Sequence, residues 1–309
     1  MRWEGRERSA NVEDRRGRPR RVPRRTPGGR VRLPRPGGTR RAGGGSIILF
    51  IVVAIALWIF VGINPLQLLD MLAREGGPGP VVTAPQERAT PEQRAARDEN
   101  AAFLAVVLNE TEDTWGRIFA QNGSRYEEPR LVLYSGFTNT ACGFGNAAVG
   151  PFYCPADRRV YIDLSFFELL DQRLGAPGDF AQAYVLAHEV GHHVQNLTGV
   201  LGRFHRDRQR LGERQSNLES IKVELQADCY AGVWAHAADR SGIVEEGDID
   251  EALGAASAVG DDVMQRRQQG YVVPESFNHG TAAQRSRWFR IGYQSGNPSE
   301  CDTFGARDL

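Results

Sequence analysis

The sequence predicts a mainly helical α+β domain with a small β-sheet, preceded by a disordered basic tail and one transmembrane helix. Three observations support this fold class. Residues 1–45 contain fifteen Arg, no Lys and four acidic residues, whereas residues 46–309 carry 23 basic and 34 acidic groups. A single long apolar run follows the basic segment, and helical spacing of apolar residues dominates the rest of the chain. With 35 Gly and four Cys in 309 residues, collagen-like and disulfide-scaffold classes are excluded.

The N-terminal segment, residues 1–45, has almost no apolar side chains. Such a segment cannot bury enough surface to offset its conformational entropy, so we expect it to be disordered. A basic tail can bind nucleic-acid phosphates, but Trp3 is its only aromatic residue and no base-stacking pattern is present. We therefore interpret it as a cytoplasmic tail that orients a membrane segment, and we expect no nucleic-acid partner.

The predicted transmembrane helix covers residues 46–63, in which Ile47 to Ile63 are uncharged. At about 1.5 Å per residue, this apolar run is about 26 Å long, just enough to cross a bilayer. A cleaved signal peptide is the alternative, but both the basic region and the apolar run are too long for one. The positive-inside rule then predicts a single-pass cell-membrane protein with a cytoplasmic N-terminus and an extracytoplasmic domain.

A Gly- and Pro-containing linker is predicted over residues 64–97, which leaves residues 98–309 as the folded domain. Helical spacing and short β-rich runs give its elements. The helices are expected at 101–121, 179–197, about 216–240 and about 248–268, and the strands at 131–134 and 159–164. Capping-box patterns at Ser165 and Ser216 predict two helix starts.

All four cysteines lie in the predicted extracytoplasmic domain, where an even number favours two disulfides. Cys142 and Cys154 flank a loop that contains Gly and Pro, so their local pairing is favoured and leaves Cys229 to pair with Cys301. Buried reduced thiols are the alternative. A zinc site made of four thiolates is not expected, because no C-x2-C spacing occurs.

The most specific signal is an H-E-x-x-H motif formed by His188, Glu189 and His192. Residues four apart share one face of a helix, so both imidazoles can bind one metal ion while Glu189 faces a metal-bound water. Chance predicts only roughly 0.01 such motifs in this chain. Gly191 costs about 1 kcal/mol inside a helix relative to Ala, which suggests close packing there. Two surface histidines with a structural Glu are the alternative.

A catalytic zinc site needs a third protein ligand and one open position. The downstream candidates are Glu219, Glu224, Asp228, His205, His236 and His279. We expect Glu224 to bind Zn²⁺ and Asp228, four residues later on the same helix face, to accept the free ring N–H of a ligand His. Asp228 as the ligand itself, or both acids on a solvated face, are the alternatives. His193 points about 100° away from His192 around the helix and is interpreted as a surface residue or a neighbour of the ligands.

The motif H-E-x-x-H, followed about thirty residues later by E-x-x-x-D, resembles the gluzincin group of zinc metallopeptidases. It resembles more closely still the bacterial family called "putative neutral zinc metallopeptidases". The segments that carry this likeness include GDFAQAYVLAHEVGHHVQ, ELQADCYAGVWA and HGTAAQRSRWFRIGY, and they are spread over residues 98–305. The resemblance implies a zincin-like fold, Zn²⁺ as the cofactor, and His188, His192 and Glu224 as its ligands.

The implied chemistry is hydrolysis of a peptide bond by a zinc-activated water, with Glu189 as the general base. By analogy with gluzincins, His279 is the candidate second donor to the developing oxyanion. Capping of the helix that starts near Thr281 is the alternative role for His279. Tyr271 and Tyr293 are weaker candidates for the donor.

The expected partners are an unidentified peptide or protein substrate and the membrane. By analogy with zincins, the strand at 159–164 is expected at the sheet edge along which a peptide lies extended. The alternative function is a non-catalytic zinc-binding envelope module that interacts with protein partners. Glu189 favours the enzyme, because a site that only holds a metal needs no base.

Overall fold

A four-stranded sheet packs against a set of helices. The computed structural model describes residues 1–16, 91–146 and 150–309, which belong to one compact unit. The strands of the sheet, in spatial order, are β1 (Val12–Asp14), β2 (Arg130–Tyr134), β6 (Arg159–Asp163) and β5 (Phe152–Cys154). The first three run parallel, and β5 runs antiparallel to β6. Strands β3 (Phe137–Thr140) and β4 (Gly143–Asn146) form a separate antiparallel hairpin.

The two central strands, β2 and β6, lie where their apolar runs predict them and are buried on both faces. On one face, alternate residues such as Leu131 and Ile162 join the main core with the helices. On the other face, Val132 and Tyr161 join a smaller cluster. The prediction that the strand at 159–164 forms a sheet edge is wrong, because β6 lies between β2 and β5. A nearly continuous apolar strand is typical of a position covered on both sides.

The helices make the domain mainly helical, as predicted, although several ends differ. They are α1 (Pro91–Gln121), α2 (Ser165–Gln172), α3 (Asp179–Leu197), α4 (Val200–Arg208), α5 (Glu213–Arg240), α6 (Asp248–Ala258), α7 (Asp261–Gln269) and α8 (Ala282–Ser295). The helix predicted over 179–197 is confirmed at both ends. The pattern predicted as one helix over 248–268 is two helices, because Gly260 adopts an extended backbone between α6 and α7.

The helix start predicted at Ser165 is confirmed and the one predicted at Ser216 is wrong, and neither predicted capping box forms. Ser165 is the first residue of α2, and its hydroxyl donates to Asp163 at 2.9 Å instead of capping the helix. Helix α5 begins at Glu213, three residues before Ser216, so Ser216 lies inside the first turns. The pattern S-x-x-E does not fix a helix start when the preceding residues can also adopt helical backbone.

The prediction of a disordered N-terminal tail is wrong for residues 1–16. Strand β1 pairs in parallel with β2 at one edge of the sheet. The indole of Trp3 packs edge-on against Phe103, with ring centroids 5.5 Å apart. The Arg-rich composition of the longer segment conceals this short stretch, whose apolar residues dock on a core formed elsewhere in the chain.

The predicted single-pass arrangement, with a cytoplasmic N-terminus and an extracytoplasmic domain, is also wrong. Residues 1–16 contribute a strand to the same sheet as β2, and the Met1 amine lies 3.0 Å from Asp179 Oδ2. These segments therefore cannot lie on opposite sides of a membrane. The predicted span at 46–63 lies outside the described residues. Across the three described ranges, no helix combines the length and the apolar character needed to cross a bilayer.

Two disulfides join distant parts of the domain, in the pairing that the sequence favours. Cys142–Cys154 connects the turn between β3 and β4 to β5, across 12 residues of sequence. Cys229–Cys301 connects α5 to the C-terminal segment, across 72 residues. Because a longer closed loop removes more entropy from the unfolded chain, the second bond stabilises the fold by about 4 kcal/mol and the first by about 3 kcal/mol.

Helices α5 and α8 pack backbone to backbone. A Cβ atom on Gly292 of α8 would overlap the carbonyl oxygen of Cys229, and one on Gly232 of α5 would overlap the carbonyl oxygen of Phe289. Only glycine fits at both positions. This close contact fixes the distance between α5 and the side chains that α8 directs toward it.

We expect Gly292→Ala to lower the free energy of unfolding by about 1–3 kcal/mol or more, because the added methyl group must push α5 and α8 apart. The matched control is Gly254 inside α6, where a Cβ would meet no atom within 4 Å. Gly254→Ala should instead stabilise the fold by about 1 kcal/mol through helix propensity. Thermal unfolding of both variants measures the contrast, and a similar shift in the two would contradict the tight α5–α8 contact.

Candidate metal centre

Three potential metal ligands meet between α3 and α5. His188 and His192, one turn apart on α3, have ring centroids 4.8 Å apart. Glu224 of α5 places Oε2 3.3 Å from Nε2 of His188 and Oε1 3.6 Å from Nε2 of His192. One donor atom from each residue lies within 4.8 Å of the other two. The structure thus brings together the three residues that the sequence analysis names as ligands.

The two helices cross closely because both carry small residues at the contact. A Cβ on Gly191 would lie 3.0 Å from the carbonyl oxygen of Ala227 and 3.1 Å from its Cα. This close contact explains why a glycine occupies position 191, although glycine costs about 1 kcal/mol relative to Ala inside a helix. It also places Glu224, one turn before Ala227, beside the two imidazoles of α3.

His188 is held through its second ring nitrogen, Nδ1, which lies 2.8 Å from Asp228 Oδ1. Burial opposes ionisation of Asp228, but Arg285 and His188 outweigh it and lower the Asp228 pKa to about 2. Because an ionised carboxylate can only accept, His188 donates from Nδ1, and its Nε2 is the ring nitrogen that faces Glu224. Asp228 thus contacts the His188 ring on one side, and Glu224 contacts it on the other.

His192 is oriented by a chain of amide groups. Its Nδ1 lies 2.8 Å from Oε1 of Gln195, whose Nε2 donates to the Val223 carbonyl at 2.7 Å and to Gln226 Oε1 at 3.1 Å. A backbone carbonyl can only accept, so the amide nitrogen of Gln195 must face Val223 and its oxygen must face His192. His192 therefore donates from Nδ1, and its Nε2 faces Glu224.

This donor set fits a zinc ion. Two imidazole nitrogens and a carboxylate converge, and all three are ligand types that zinc binds. One oxygen of Glu224 lies 3.3 Å from Nε2 of His188 and the other lies 3.6 Å from Nε2 of His192, so the three side chains face one point. The side chains of His192 and Glu224 remain 14% and 17% exposed, so the centre is open to solvent on one side.

Asp228 also ties three helices together. The Arg285 guanidinium of α8 donates from Nε to Oδ2 at 2.8 Å and from Nη2 to Oδ1 at 2.9 Å. The Tyr184 hydroxyl of α3 donates to Oδ1 at 2.5 Å. The sequence analysis assigned no role to either residue. Tyr184 could have been found, since it stands four residues before His188 on the same helix face, whereas nothing in the local sequence marks Arg285.

Glu189 is buried beside the ligands. Burial raises its pKa above that of an ordinary carboxyl group, and the nearby imidazoles of His192 and His188 lower it in part. The alternative of two surface histidines with a structural Glu does not fit, because His188 and Glu189 are both buried.

His279 lies on the segment before α8 and is about half-exposed. Its Nδ1 is 3.1 Å from Asp261 Oδ1, while Asp261 Oδ2 accepts the backbone N–H groups of residues 278–280. The contact with Asp261 raises the His279 pKa, and the charge of Glu224 adds to the effect. The segment is therefore fixed by one carboxylate, and the next residue, Gly280, packs against Leu225 of α5.

The other candidates for these roles lie elsewhere. Thr281 is the N-cap of α8 and forms a capping box, so the capping role considered for His279 is wrong. The Tyr293 hydroxyl donates to Asp239 at 2.8 Å. Tyr271 is exposed to solvent.

The remaining histidines of α3 and α5 serve packing. His193 is fully buried between the Tyr153 hydroxyl, 2.9 Å from Nδ1, and the Glu127 carbonyl, 2.6 Å from Nε2, so it is not a surface residue. Burial lowers the pKa of His193 to about 4. His236 lies 2.8 Å from a backbone carbonyl of α8, as expected for a packed helix residue.

Comparison with known proteins identifies the family. The chain matches the model of the family described as "Putative neutral zinc metallopeptidase" over residues 1–304. The chain belongs to this family. "Uncharacterized protein YpfJ" of Escherichia coli K12 is 47% identical over 305 residues, 99% of each chain. "Uncharacterized protein Rv2575" of Mycobacterium tuberculosis H37Rv is 47% identical over 195 residues, which are 60% of this chain and 65% of that protein. No solved structure matches this chain.

The family match confirms the resemblance inferred from the motifs, and it extends beyond the segments that carried that inference. It begins at residue 1 and therefore includes the N-terminal segment that forms β1. Residues 1–16 are thus part of the family's sequence pattern as well as part of this fold.

We expect Asp228→Asn to weaken zinc binding by about 10–100-fold, because the carboxylate that fixes the His188 ring is lost. The substitution also leaves the Arg285 charge buried without its partner, so the metal-free protein should lose about 3–5 kcal/mol of unfolding free energy. Zinc titration against a competing chelator and thermal unfolding measure the two effects.

The control for this variant is Asp239→Asn. Asp239 lies on the same helix, but it accepts an exposed hydrogen bond from Tyr293. This control should change zinc affinity less than twofold and unfolding free energy by no more than about 0.5 kcal/mol. Unchanged zinc affinity in Asp228→Asn would contradict the supporting role of that carboxylate.

Proposed function

We propose that this protein is a zinc-dependent peptidase, in which His188, His192 and Glu224 hold the metal and Glu189 is the general base. The observation that carries the proposal is the approach of both imidazole Nε2 atoms to the Glu224 carboxylate, at 3.3 and 3.6 Å. Membership of a zinc metallopeptidase family supports the choice of metal and of reaction class.

When bound, zinc supplies an acidified water and a Lewis acid for the substrate carbonyl. His188, His192 and Glu224 would hold the ion and would leave it an open coordination position for water or substrate. Asp228 and Gln195 hold the two imidazoles through Nδ1, so the orientation of both rings is set before the substrate arrives.

Glu189 moves the proton. Its carboxylate accepts a proton from the attacking water and returns it to the amine of the leaving peptide. Its place next to His188 in the H-E-x-x-H motif and its burial support this role, because a base must lie within hydrogen-bond reach of the proton that it removes.

His279 is proposed to donate to the carbonyl oxygen of the substrate as negative charge develops there. Its Nδ1 is engaged by Asp261, so Nε2 is the nitrogen free for the substrate. Asp261 also raises the His279 pKa, which favours the imidazolium form with a proton on both nitrogens. Its half-exposed position leaves the side chain accessible to a bound peptide.

We expect Glu189→Gln to lower kcat/KM by about 10²–10⁴-fold while keeping one zinc per chain, because the base is removed and the ligands remain. His192→Ala should lose both zinc and activity. The measurements are metal analysis of the full chain and cleavage of a proteome-derived peptide library followed by mass spectrometry.

The control for the base is Glu219→Gln, since Glu219 on α5 pairs with Lys222 at 2.8 Å and is not among the ligands. This variant should cleave the library like the unaltered protein. Equal cleavage by Glu189→Gln and the unaltered protein would contradict the role of Glu189. Zinc binding without cleavage by any form would support the non-catalytic module instead.

We expect His279→Gln to lower kcat by about 10²-fold with little change in KM, as for loss of one oxyanion donor. Because the His279 pKa is raised, its imidazolium form is present below that pKa and is lost above it, so kcat should fall as the pH rises through it. His279→Gln should abolish this alkaline decline, whereas His205→Gln on exposed α4 should retain it. If kcat of His279→Gln fell with rising pH as much as that of the unaltered protein, the decline would belong to another titrating group.

A further inference from the structure

A small cavity lies between the first turns of α5 and the segment that precedes His279. Its volume is about 120 Å³. Leu218 and Ile221 of α5 line one wall, and Pro274 and Phe277 line the facing wall. None of these four residues belongs to the proposed ligand set or the proton-transfer machinery, so the cavity has a role still to be assigned.

Both walls continue directly into the proposed catalytic site. Ile221 stands three residues before Glu224 on the same face of α5, about 4.5 Å along the helix axis. On the other wall, His279 follows Phe277 by two residues. Gly280, the residue after His279, packs against α5, since a Cβ on Gly280 would lie 3.5 Å from Ile221 Cγ2. Along α5, the cavity wall at Ile221 is therefore about one helical turn from Glu224.

The cavity is apolar at its base and polar at its rim. Ile221 and Phe277, which are 7% and 6% exposed, form the base, and Leu218, which is 41% exposed, forms one side. Arg214 and Glu275 stand at the rim with opposite charges. Their charges compensate each other, so the rim does not favour a ligand of either sign.

Exposed hydrophobic side chains also occur on the cavity wall and in the segment that leads into it. Six large hydrophobic side chains are exposed in the described part of the chain. Three of them, Leu218, Tyr271 and Val273, lie on a cavity wall or in the three residues that lead into it. A single exposed hydrophobic residue is ordinary, but a group of them around one concave site is typical of a binding site.

We propose that this cavity determines substrate specificity by receiving one apolar side chain of the peptide beside the bond that is cleaved. The inference rests on the proposed peptidase function and adds to it a substrate class. An apolar cavity of about 150 Å³ can hold a benzene molecule, so the smaller cavity of about 120 Å³ fits an aliphatic side chain such as that of Leu, Ile or Met. A charged side chain would lose its hydration against Ile221 and Phe277 without a compensating partner.

The test compares the zinc-loaded full chain with Leu218→Phe on a proteome-derived peptide library. The unaltered protein should favour Leu, Ile or Met at one position within two residues of the cut. Leu218→Phe narrows the cavity and should lower kcat/KM for the preferred peptide about 10–200-fold, while the same peptide with Ala at that position is cleaved as before. Because Leu218 is exposed, the Leu218→Phe variant should unfold at the same temperature as the unaltered protein.

The matched control is Leu169→Phe, which makes the same change at an exposed leucine on α2, 38% exposed and outside the cavity. It should leave the cleavage profile unchanged. Cleavage without an apolar preference, or an equal loss for the Leu and Ala peptides in Leu218→Phe, would overturn the specificity role and leave the peptidase proposal intact. Absence of cleavage by the zinc-loaded unaltered protein would instead overturn the peptidase function, and the substrate cavity with it.

Discussion

The metal centre depends on one buried carboxylate, that of Asp228, to which groups from two neighbouring helices donate. An ionised group without solvent is strongly unfavourable unless its oxygens are satisfied. Arg285 contributes two hydrogen bonds, and Tyr184 and His188 contribute one each. The same atoms therefore hold α8 against α5 and set the rotation of a metal-ligand imidazole. Helix packing and ligand geometry are not independent in this protein, and a change in either must alter the other.

Close helix crossings make this arrangement possible. Gly191 allows α3 to approach α5, and Gly232 and Gly292 allow α8 to approach α5 from another direction. Each glycine inside a helix costs about 1 kcal/mol relative to Ala, so three of them represent a substantial loss of helical stability. The Cys229–Cys301 disulfide lies at the same crossing, because the Cys229 carbonyl is the group against which Gly292 packs. Its contribution of about 4 kcal/mol is of the size needed to offset that loss.

Features that depend on residues close in sequence are predicted correctly, whereas features that depend on residues far apart in sequence are not. The H-E-x-x-H helix was predicted from spacing alone, since its signal lies within one turn, and the E-x-x-x-D spacing led to Glu224 and Asp228 in the same way. Arg285 was not assigned, because its partnership with Asp228 joins residues 57 positions apart. The strand formed by residues 12–14 was missed for a related reason: its neighbour in the sheet is more than a hundred residues away, and composition averaged over an Arg-rich segment carries no information on that pairing. The position of β6 within the sheet was likewise set by a partner, β5, that its own sequence does not specify.

Exposure divides the proposed site into two layers with different requirements. The groups that orient the metal ligands, including Asp228 and Gln195, are fully buried, so their geometry does not depend on a bound peptide. The groups assigned to the substrate, His279 and Leu218, are 51% and 41% exposed. Hydrogen bonds to developing charge are stronger where water is excluded. A peptide whose side chain fills the cavity at Leu218 would cover the solvent-exposed side of the proposed site and shield His279 from water. A peptide with a small side chain would leave His279 exposed to solvent. Binding of a substrate side chain away from the cleaved bond then lowers the activation free energy of the chemical step, so the cavity should influence kcat as well as KM.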